Sequence, residues 1–318
     1  MRYHMIDRFV RWCAACIALL ILAPFAGANA QAPPVLRVGL TPNDTYAEAY
    51  YALDNGFFQQ AGLSVELTTL SNGAAVSAAV ASGALDVGVS TPIQLAQAAT
   101  RGVPFVIVAA GAVNTVKVPA ALICVAAGST IRDAKGLQGK TVAVNALKTS
   151  SEELLDAWLE QNGVERTSVH TIEMPFSAMG EALKRGTIDG AILSEPSLSI
   201  ASKRGDVRVL ANPTGAVGRE FLLSAWFATA QYAQKNRDAM KRFATAIYQT
   251  ARWANAHHDE SAAILAKYAK LDINMIQSMT RAPFAESLRV RDVQPQLDAA
   301  LKYGLVTRPV AAAEILSR

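Results

Sequence analysis

The chain has 318 residues, of which 51% are hydrophobic and 18% are charged, and its formal net charge at pH 7 is +4. The length favours two domains, and the composition is typical of a globular protein with a sizeable core. Removing residues 1–30 takes away three arginines and one aspartate and lowers the net charge to +2, which gives little support to a role on nucleic acid or on a membrane surface.

Residues 1–30 have the features of a secretory signal peptide. Three arginines precede an apolar run of 13 residues, Cys13 to Phe25, and Ala28-Asn29-Ala30 matches a small-residue cleavage site. The apolar run is shorter than the roughly 20 residues that a membrane span needs. We therefore expect cleavage after Ala30 and a product in the periplasm, with a permanent N-terminal anchor as the alternative.

The next part of the chain alternates predicted strands and helices. Hydrophobic periodicity and the Gly and Pro positions indicate strands at 35–40, 64–70, 85–89 and 103–110 and helices at 46–55, 74–82 and 93–100. A strand–helix–strand–helix–strand order is typical of a doubly wound, mostly parallel sheet.

The same order of elements returns about 100 residues later. Strands are predicted at 140–144, 169–174 and 188–193 and helices at 152–161 and 176–185. Matching landmarks are 101 to 103 residues apart: Gly62 and Gly163, Gly83 and Gly186, Asp86 and Asp189. A weak duplication with the period of a small domain indicates two lobes of the same architecture.

The remaining segments fit chain crossings between two lobes and a helical C-terminal part. A further strand is predicted at 121–126, and another apolar run lies at 222–228. A long helix is predicted at 231–255, and shorter helices are predicted at about 260–270, 273–281, 292–303 and 309–317. We place these helices on lobe one, which then comprises residues 31–116 and 226–318, and assign residues 117–225 to lobe two.

Short polar segments follow the predicted strands and precede the helices. They are Asn43-Asp44-Thr45, Ser71-Asn72-Gly73, Ser90-Thr91, Asn145 to Ser151, Phe176-Ser177 and Ser194-Glu195. Open α/β sheets bind ligands at the carboxyl ends of their strands, where helix amides and the helix dipole suit an anionic group. The sequence therefore predicts a ligand cleft lined from both lobes.

Several of these segments have a structural alternative. The patterns Thr149-x-x-Glu152 and Ser150-x-x-Glu153 both fit a capping box, and Asn72-Gly73 and Asn43-Asp44 fit simple turns. Lys148 is either a solvated charge or faces an anion.

Glu195 is an acid at the end of the strand predicted at 188–193, and Pro196 follows it. It either accepts hydrogen bonds from an amine or ring N–H of a ligand, or lies at a helix N-terminus beside a proline. Tyr46, Tyr50, Phe176 and Trp226 are aromatic candidates for the cleft wall, with the core as their alternative.

The predicted ligand site follows from these segments. It comprises Asn43, Asp44, Tyr46, Asn72, Gly73, Ser90, Thr91, Asn145, Lys148, Thr149, Ser150, Phe176 and Glu195. No metal, cofactor or catalytic residue is expected. His257-His258 near a helix end is more typical of solvated histidines than of a metal site, and Cys124 in its apolar run is typical of core.

An ordered set of motifs resembles the periplasmic binding proteins of ABC importers, of the aliphatic sulfonate, nitrate, taurine and thiamine-pyrimidine-precursor type. The motifs are Asp54-Asn55-Gly56-Phe57-Phe58, Gly62-Leu63, Gly83 to Gly88, Leu137 to Val144, Gly186 to Pro196, and a helix at 238–255 carrying Phe243 and Trp253. The resemblance implies a two-lobed type II fold, with a ligand cleft between lobes. It also implies a monomer that passes a small solute to the permease and ATPase subunits of an importer.

Two rival functions stay open. The family extends to thiamine-pyrimidine synthases, which are enzymes, but this sequence lacks their cysteine-rich motif, and the signal peptide conflicts with their cytoplasmic setting. The other rival is an adaptor that senses a solute and docks a receptor.

Overall fold

A computed structural model describes residues 35–316. The predicted signal peptide and its cleavage site lie outside the described residues. No helix in the described part is both long enough and apolar enough to cross a membrane.

Nine of the twelve strands of the described residues coincide with segments singled out in the sequence. The twelve strands are β1 (Leu36–Leu40), β2 (Val65–Thr69), β3 (Val87–Ser90), β4 (Phe105–Ala110), β5 (Val113–Thr115), β6 (Ala121–Ala126), β7 (Thr141–Val144), β8 (His170–Glu173), β9 (Gly190–Ser194), β10 (Val207–Ala211), β11 (Glu220–Leu222) and β12 (Ala225–Thr229). Of these, β5, β10 and β11 were not predicted.

Helices alternate with these strands and then form the C-terminal part. They are α1 (Glu48–Asp54), α2 (Phe57–Gln60), α3 (Gly73–Ala81), α4 (Pro92–Thr100), α5 (Ser150–Gln161), α6 (Phe176–Arg185), α7 (Ser197–Lys203), α8 (Thr214–Val217), α9 (Ala230–Lys235), α10 (Arg237–Ala256), α11 (His258–Ala269), α12 (Ile273–Ser278), α13 (Val290–Lys302) and α14 (Ala312–Ile315). Short 3-10 helices lie at Asp44–Tyr46, Lys135–Leu137 and Arg166–Ser168. The helix predicted at 231–255 is divided at Asn236 into α9 and α10.

Two five-stranded sheets form the frame of two lobes. The first has the order β2-β1-β3-β12-β4 and the second the order β10-β6-β9-β7-β8. In each sheet four strands run in one direction and one strand is reversed, β12 in the first sheet and β6 in the second. The predicted α/β architecture of two mostly parallel sheets is confirmed.

The first sheet is covered on both faces, which explains its nearly continuous apolar strands. Neighbouring residues of β12 show this, since Trp226 belongs to the core under α1 and α10, and Phe227 belongs to the core under α3, α4 and α13. Both side chains are completely buried. The C-terminal helices contribute to both of these cores.

The two lobes are joined where β5 and β11 run side by side as an antiparallel pair. Strands from residues 36–110 and 225–229 build the first sheet, and strands from residues 121–211 build the second. The lobe boundaries at 116/117 and 225/226 stay a prediction. The pair of crossing strands places the carboxyl ends of both sheets on either side of one cleft.

Candidate ligand-binding cleft

A cavity of about 840 Å³, the main cavity, lies between the two lobes. The first lobe lines it with residues 41–46, 71–74, 91 and 94, and the second with residues 118–121, 145–146, 149–151, 154, 173, 176–177 and 194–197. Leu223 and residues 280–282 complete the wall. The polar segments at the strand ends of both sheets therefore meet in one space.

Four helices of nine or more residues begin at the main cavity: α3, α4, α5 and α6. In the first lobe their ends are capped, because Asn72 accepts the amide of Ala75 at 2.9 Å and Thr91 accepts the amide of Gln94 at 3.2 Å. In the second lobe α5 and α6 have no side-chain cap. Their first amides need acceptors, so these two ends form a place for an anionic group.

The capping boxes that were the structural alternative for the start of α5 do not form. The hydroxyl of Thr149 donates instead to the carbonyl of Ala146 at 2.7 Å, and the Glu152 carboxylate accepts the amide of Lys148. Lys148 has a φ of 57°, which turns the loop back before the helix begins. The start of α5 at the main cavity therefore has no side-chain cap.

An ion pair between Asp44 and Arg281 is built into the wall of the cleft. Nε of Arg281 lies 2.6 Å from Oδ1 of Asp44, and Nη2 donates to the Tyr51 hydroxyl at 2.6 Å. The second oxygen of Asp44 accepts the amide of Ala282 at 2.6 Å. Burial lowers the pKa of Arg281, but the Asp44 carboxylate and the Tyr51 hydroxyl outweigh it and leave that pKa raised.

Two other carboxylates line the main cavity, and neither has an ion-pair partner among residues 35–316. Glu195 accepts the hydroxyl and amide of Ser199 at 2.8 and 3.1 Å, and also the amide of Thr280 at 3.3 Å. Glu173 accepts the amide of Leu147 at 3.3 Å. The cleft thus carries uncompensated negative charge beside the open helix ends.

Residues 43–261 match the family model described as NMT1/THI5 like. The chain belongs to this family. It is 30% identical to the taurine-binding periplasmic protein of Escherichia coli over 192 residues, which is 60% of this chain and 58% of that protein. It is 26% identical to a putative aliphatic sulfonates-binding protein of Escherichia coli over 272 residues, covering 83% of this chain and 81% of the relative.

Solved structures of periplasmic binding proteins share the fold of this NMT1/THI5-like chain. The aliphatic sulphonate binding protein SsuA from Escherichia coli superposes with a TM-score of 0.77 at 23% identity, over 90% of this chain and 92% of that one. The alkanesulfonate-binding protein SsuA from Xanthomonas axonopodis pv. citri, bound to MOPS, gives 0.73 at 19% identity, over 90% and 99%. The predicted two-lobed periplasmic binding protein fold is confirmed.

Eleven of the thirteen residues predicted for the site of this NMT1/THI5-like protein line the main cavity. They are Asn43, Asp44, Tyr46, Asn72, Gly73, Thr91, Asn145, Thr149, Ser150, Phe176 and Glu195. Their contact with a ligand stays a prediction.

Ser90 and Lys148 lie elsewhere. Ser90 is completely buried at the end of β3, and its hydroxyl donates to Oε1 of Gln94 at 2.6 Å. Lys148 lines an adjoining cavity of about 390 Å³, the second cavity. Ser90 ends a strand and Lys148 lies in a loop, and neither position shows by itself which way the side chain faces.

Two of the four aromatic candidates are core residues. Tyr50 stacks on Tyr268 with ring centroids 4.1 Å apart, and Nε1 of Trp226 donates to the buried carboxylate of Glu48 at 2.7 Å. Tyr46 and Phe176 do line the main cavity. Burial raises the pKa of Tyr46 to about 12, so its phenol is neutral at physiological pH.

Arg281 is one of two charged lining residues that the sequence did not reveal, and Glu173 is the other. Arg281 lies in an irregular segment between α12 and α13, with no strand end or helix start to mark it. Gln94 and Ser151 were also missed, although Gln94 follows the identified segment Ser90-Thr91 and Ser151 is the last residue of another identified segment.

The described residues contain no group of three or more His, Cys, Asp or Glu side chains that could hold a metal ion. Cys124 is buried in β6, and burial raises the pKa of its thiol to about 12. A neutral buried thiol is a poor nucleophile.

Proposed function

We propose that this protein binds a small zwitterionic or anionic organic solute in the periplasm and delivers it to the permease and ATPase subunits of an ABC importer. The observation that carries the proposal is the pairing of opposite features in the main cavity. The open ends of α5 and α6 suit an anionic group, and the carboxylates of Glu173 and Glu195 suit an amine.

The names of the relatives agree with this chemistry. Taurine carries a sulfonate and an ammonium group, and one relative is named for binding it. A micromolar site needs about 8 kcal/mol, whereas one helix end contributes about 0.5–2 kcal/mol and one hydrogen bond to a charged group about 1.5–3 kcal/mol. Several contacts from both lobes must therefore act together on one solute.

In this proposal Glu195 both stabilises the protein and binds the ammonium group of the solute. Its bonds to Ser199 support the start of α7, as the structural alternative predicted, and its bond to Thr280 crosses from the second lobe to the C-terminal part of the first. A carboxylate oxygen accepts more than one hydrogen bond, so these contacts leave it able to accept an ammonium group as well.

Titration calorimetry on the mature protein tests the proposal with taurine and with ethanesulfonate, which lacks the amine. We expect taurine to bind about tenfold more weakly to Glu173→Gln or Glu195→Gln, because a hydrogen bond to charge is lost. Ethanesulfonate should bind all variants about equally. Glu66→Gln, an exposed acid on β2, is the matched control.

Two results would count against the proposal. If titration calorimetry detects no binding of taurine, sulfonates, carboxylates, nitrate or pyrimidine amines, the proposed solute-binding function is contradicted. Equal losses for taurine and ethanesulfonate in both glutamine variants would remove the amine contact and leave a plain anion site.

A further inference from the structure

The second cavity opens beside the main cavity at the seam between the lobes. It is lined by α4 and the residue that follows it, by residues 146–149 of the second lobe, and by residues 304–307 after α13. Gln94, Ala146 and Thr149 line both cavities. The two cavities therefore adjoin along these three residues.

The charges of the second cavity have the opposite sign to those of the main cavity. Its charged lining residues are Arg101 from the first lobe and Lys148 from the second. Both side chains are exposed, and neither forms an ion pair within residues 35–316. In the main cavity the unpaired groups are the carboxylates of Glu173 and Glu195.

Other charged side chains near the second cavity already have partners within the protein. The Glu152 carboxylate accepts the amide of Lys148. Arg308 donates to the carbonyl of Ala99 at 3.3 Å and pairs with Glu314 at 3.3 Å. Arg101 and Lys148 are thus the charges left to meet a ligand.

The backbone of Lys148 is held from both lobes. Nε2 of Gln97 donates to the carbonyl of Lys148 at 2.8 Å and to the carbonyl of Leu305 at 3.1 Å. The φ of 57° at Lys148 is uncommon for a residue with a side chain, and such conformations cluster at functional sites. In this arrangement of the two lobes, these contacts therefore hold the backbone of Lys148 in the wall of the second cavity.

We propose that the second cavity is an anion subsite, which binds the outer anionic group of a solute whose other end occupies the main cavity. The inference rests on the proposed function, since it extends the solute that the main cavity would hold. Two cations brought together from opposite lobes repel each other, and an anionic group between them turns that repulsion into attraction to both lobes. Solutes with two separated anionic groups are the class that this arrangement favours.

The test compares propane-, butane- and hexane-1-sulfonate with the corresponding α,ω-disulfonates by titration calorimetry at low ionic strength. For at least one chain length we expect the disulfonate to bind the wild-type protein about fivefold to thirtyfold more tightly than the monosulfonate. Arg101→Met and Lys148→Met should each remove most of this gain, and Arg101→Met should leave monosulfonate affinity unchanged. Lys135→Met, an exposed lysine of the second lobe, should retain the gain.

Further arms separate the outcomes. Monosulfonate binding without a disulfonate gain at any length, or a gain that survives in both methionine variants, overturns the subsite and leaves the proposed function standing. An increase in monosulfonate affinity on adding sulfate, lost in Lys148→Met, would show that the cavity takes a separate inorganic anion and would overturn the single-solute form. Failure of every sulfonate and of taurine to bind would instead count against the proposed function.

Discussion

At the scale of single residues, the ion pair between Asp44 and Arg281 holds two segments of the cleft wall together. Their side chains are only 8% and 7% exposed, and they join the segment before α1 to the segment after α12. Both carboxylate oxygens of Asp44 accept hydrogen bonds from the segment after α12, so Asp44 stabilises the position of that segment. A buried pair of this kind is costly to break from one side, because the remaining charge has no partner.

Arg281→Met should lower the free energy of unfolding by about 3–5 kcal/mol, since it leaves the Asp44 carboxylate buried and unpaired. Urea denaturation followed by circular dichroism measures this. The double variant Asp44→Asn, Arg281→Met should recover much of the loss, because no isolated charge remains. Equal stability of the single and double variants would show that the charge itself is not the cause.

Sequence reasoning could reach Asp44 and could not reach Arg281, for a physical reason. Asp44 follows a strand and precedes a helix, so local pattern marks it as a residue at the cleft. Arg281 is brought there by packing of the C-terminal segment, which no periodicity describes. Trp226 shows the opposite error, since its strand end lies at the cleft while its side chain points into the core.

At the scale of elements, helix α5 connects the main cavity to the seam between lobes. Its first residues line the main cavity, while Glu153 further along is completely buried near Gln296 of α13. Neither oxygen of Glu153 has a hydrogen-bond partner in the described part of the chain. Burial raises the pKa of Glu153 well above its ordinary value, and it raises that of nearby Asp156 to about 6 against the opposing effect of Arg166.

These raised pKa values predict a protein that loses stability as the pH rises. The folded state holds the protons of Glu153 and Asp156 more tightly than the unfolded state does, so their stabilising contribution is complete at acidic pH and is lost as the pH passes through the raised values. The melting temperature of Glu153→Gln, measured from pH 5 to pH 8.5, should fall less than that of the wild type. The exposed control Glu165→Gln should follow the wild-type curve, and parallel curves for all three proteins would contradict the assignment.

Helices and strands were predictable where residues in the local sequence determine their ends, and less predictable where contacts with distant segments determine them. Gly186 ends α6 and Pro196 precedes α7, and the apolar run between them is the buried strand β9, as the pattern predicts. The capping boxes at α5 fail because the loop before the helix turns back at Lys148. Glu153, which the pattern assigns to a cap, is instead drawn into contact with α13.

At the scale of the whole molecule, contacts across the seam join the lobes on both sides of the cleft. On one side Lys203 donates to Ser278 at 2.5 Å, and on the other Arg166 donates to the carbonyl of Tyr303 at 2.8 Å. The lobes are also linked by two chain crossings, β5 and β11. These links favour joint unfolding of the two lobes.

We expect one cooperative transition in urea. Trp158 lies in the second lobe, Trp226 and Trp253 lie in the first, and Trp12 lies in the predicted signal peptide. The fluorescence of Trp158→Phe in the mature protein therefore reports on the first lobe alone. Its midpoint should coincide with that from circular dichroism of the same variant, which reports on both lobes. Two separated midpoints would show that the lobes unfold independently.

The position of β12 has a consequence for how the molecule is assembled during synthesis. This strand comes from residues 225–229 and fills the gap between β3 and β4, whereas every strand of the second sheet lies within residues 121–211. A growing chain can therefore complete the second sheet before the first, even though most of the first sheet is made earlier. Until β12 arrives, β3 and β4 have exposed edges on the facing sides, which are sites for mispairing with other strands. The lobe that begins the chain is thus the last to close.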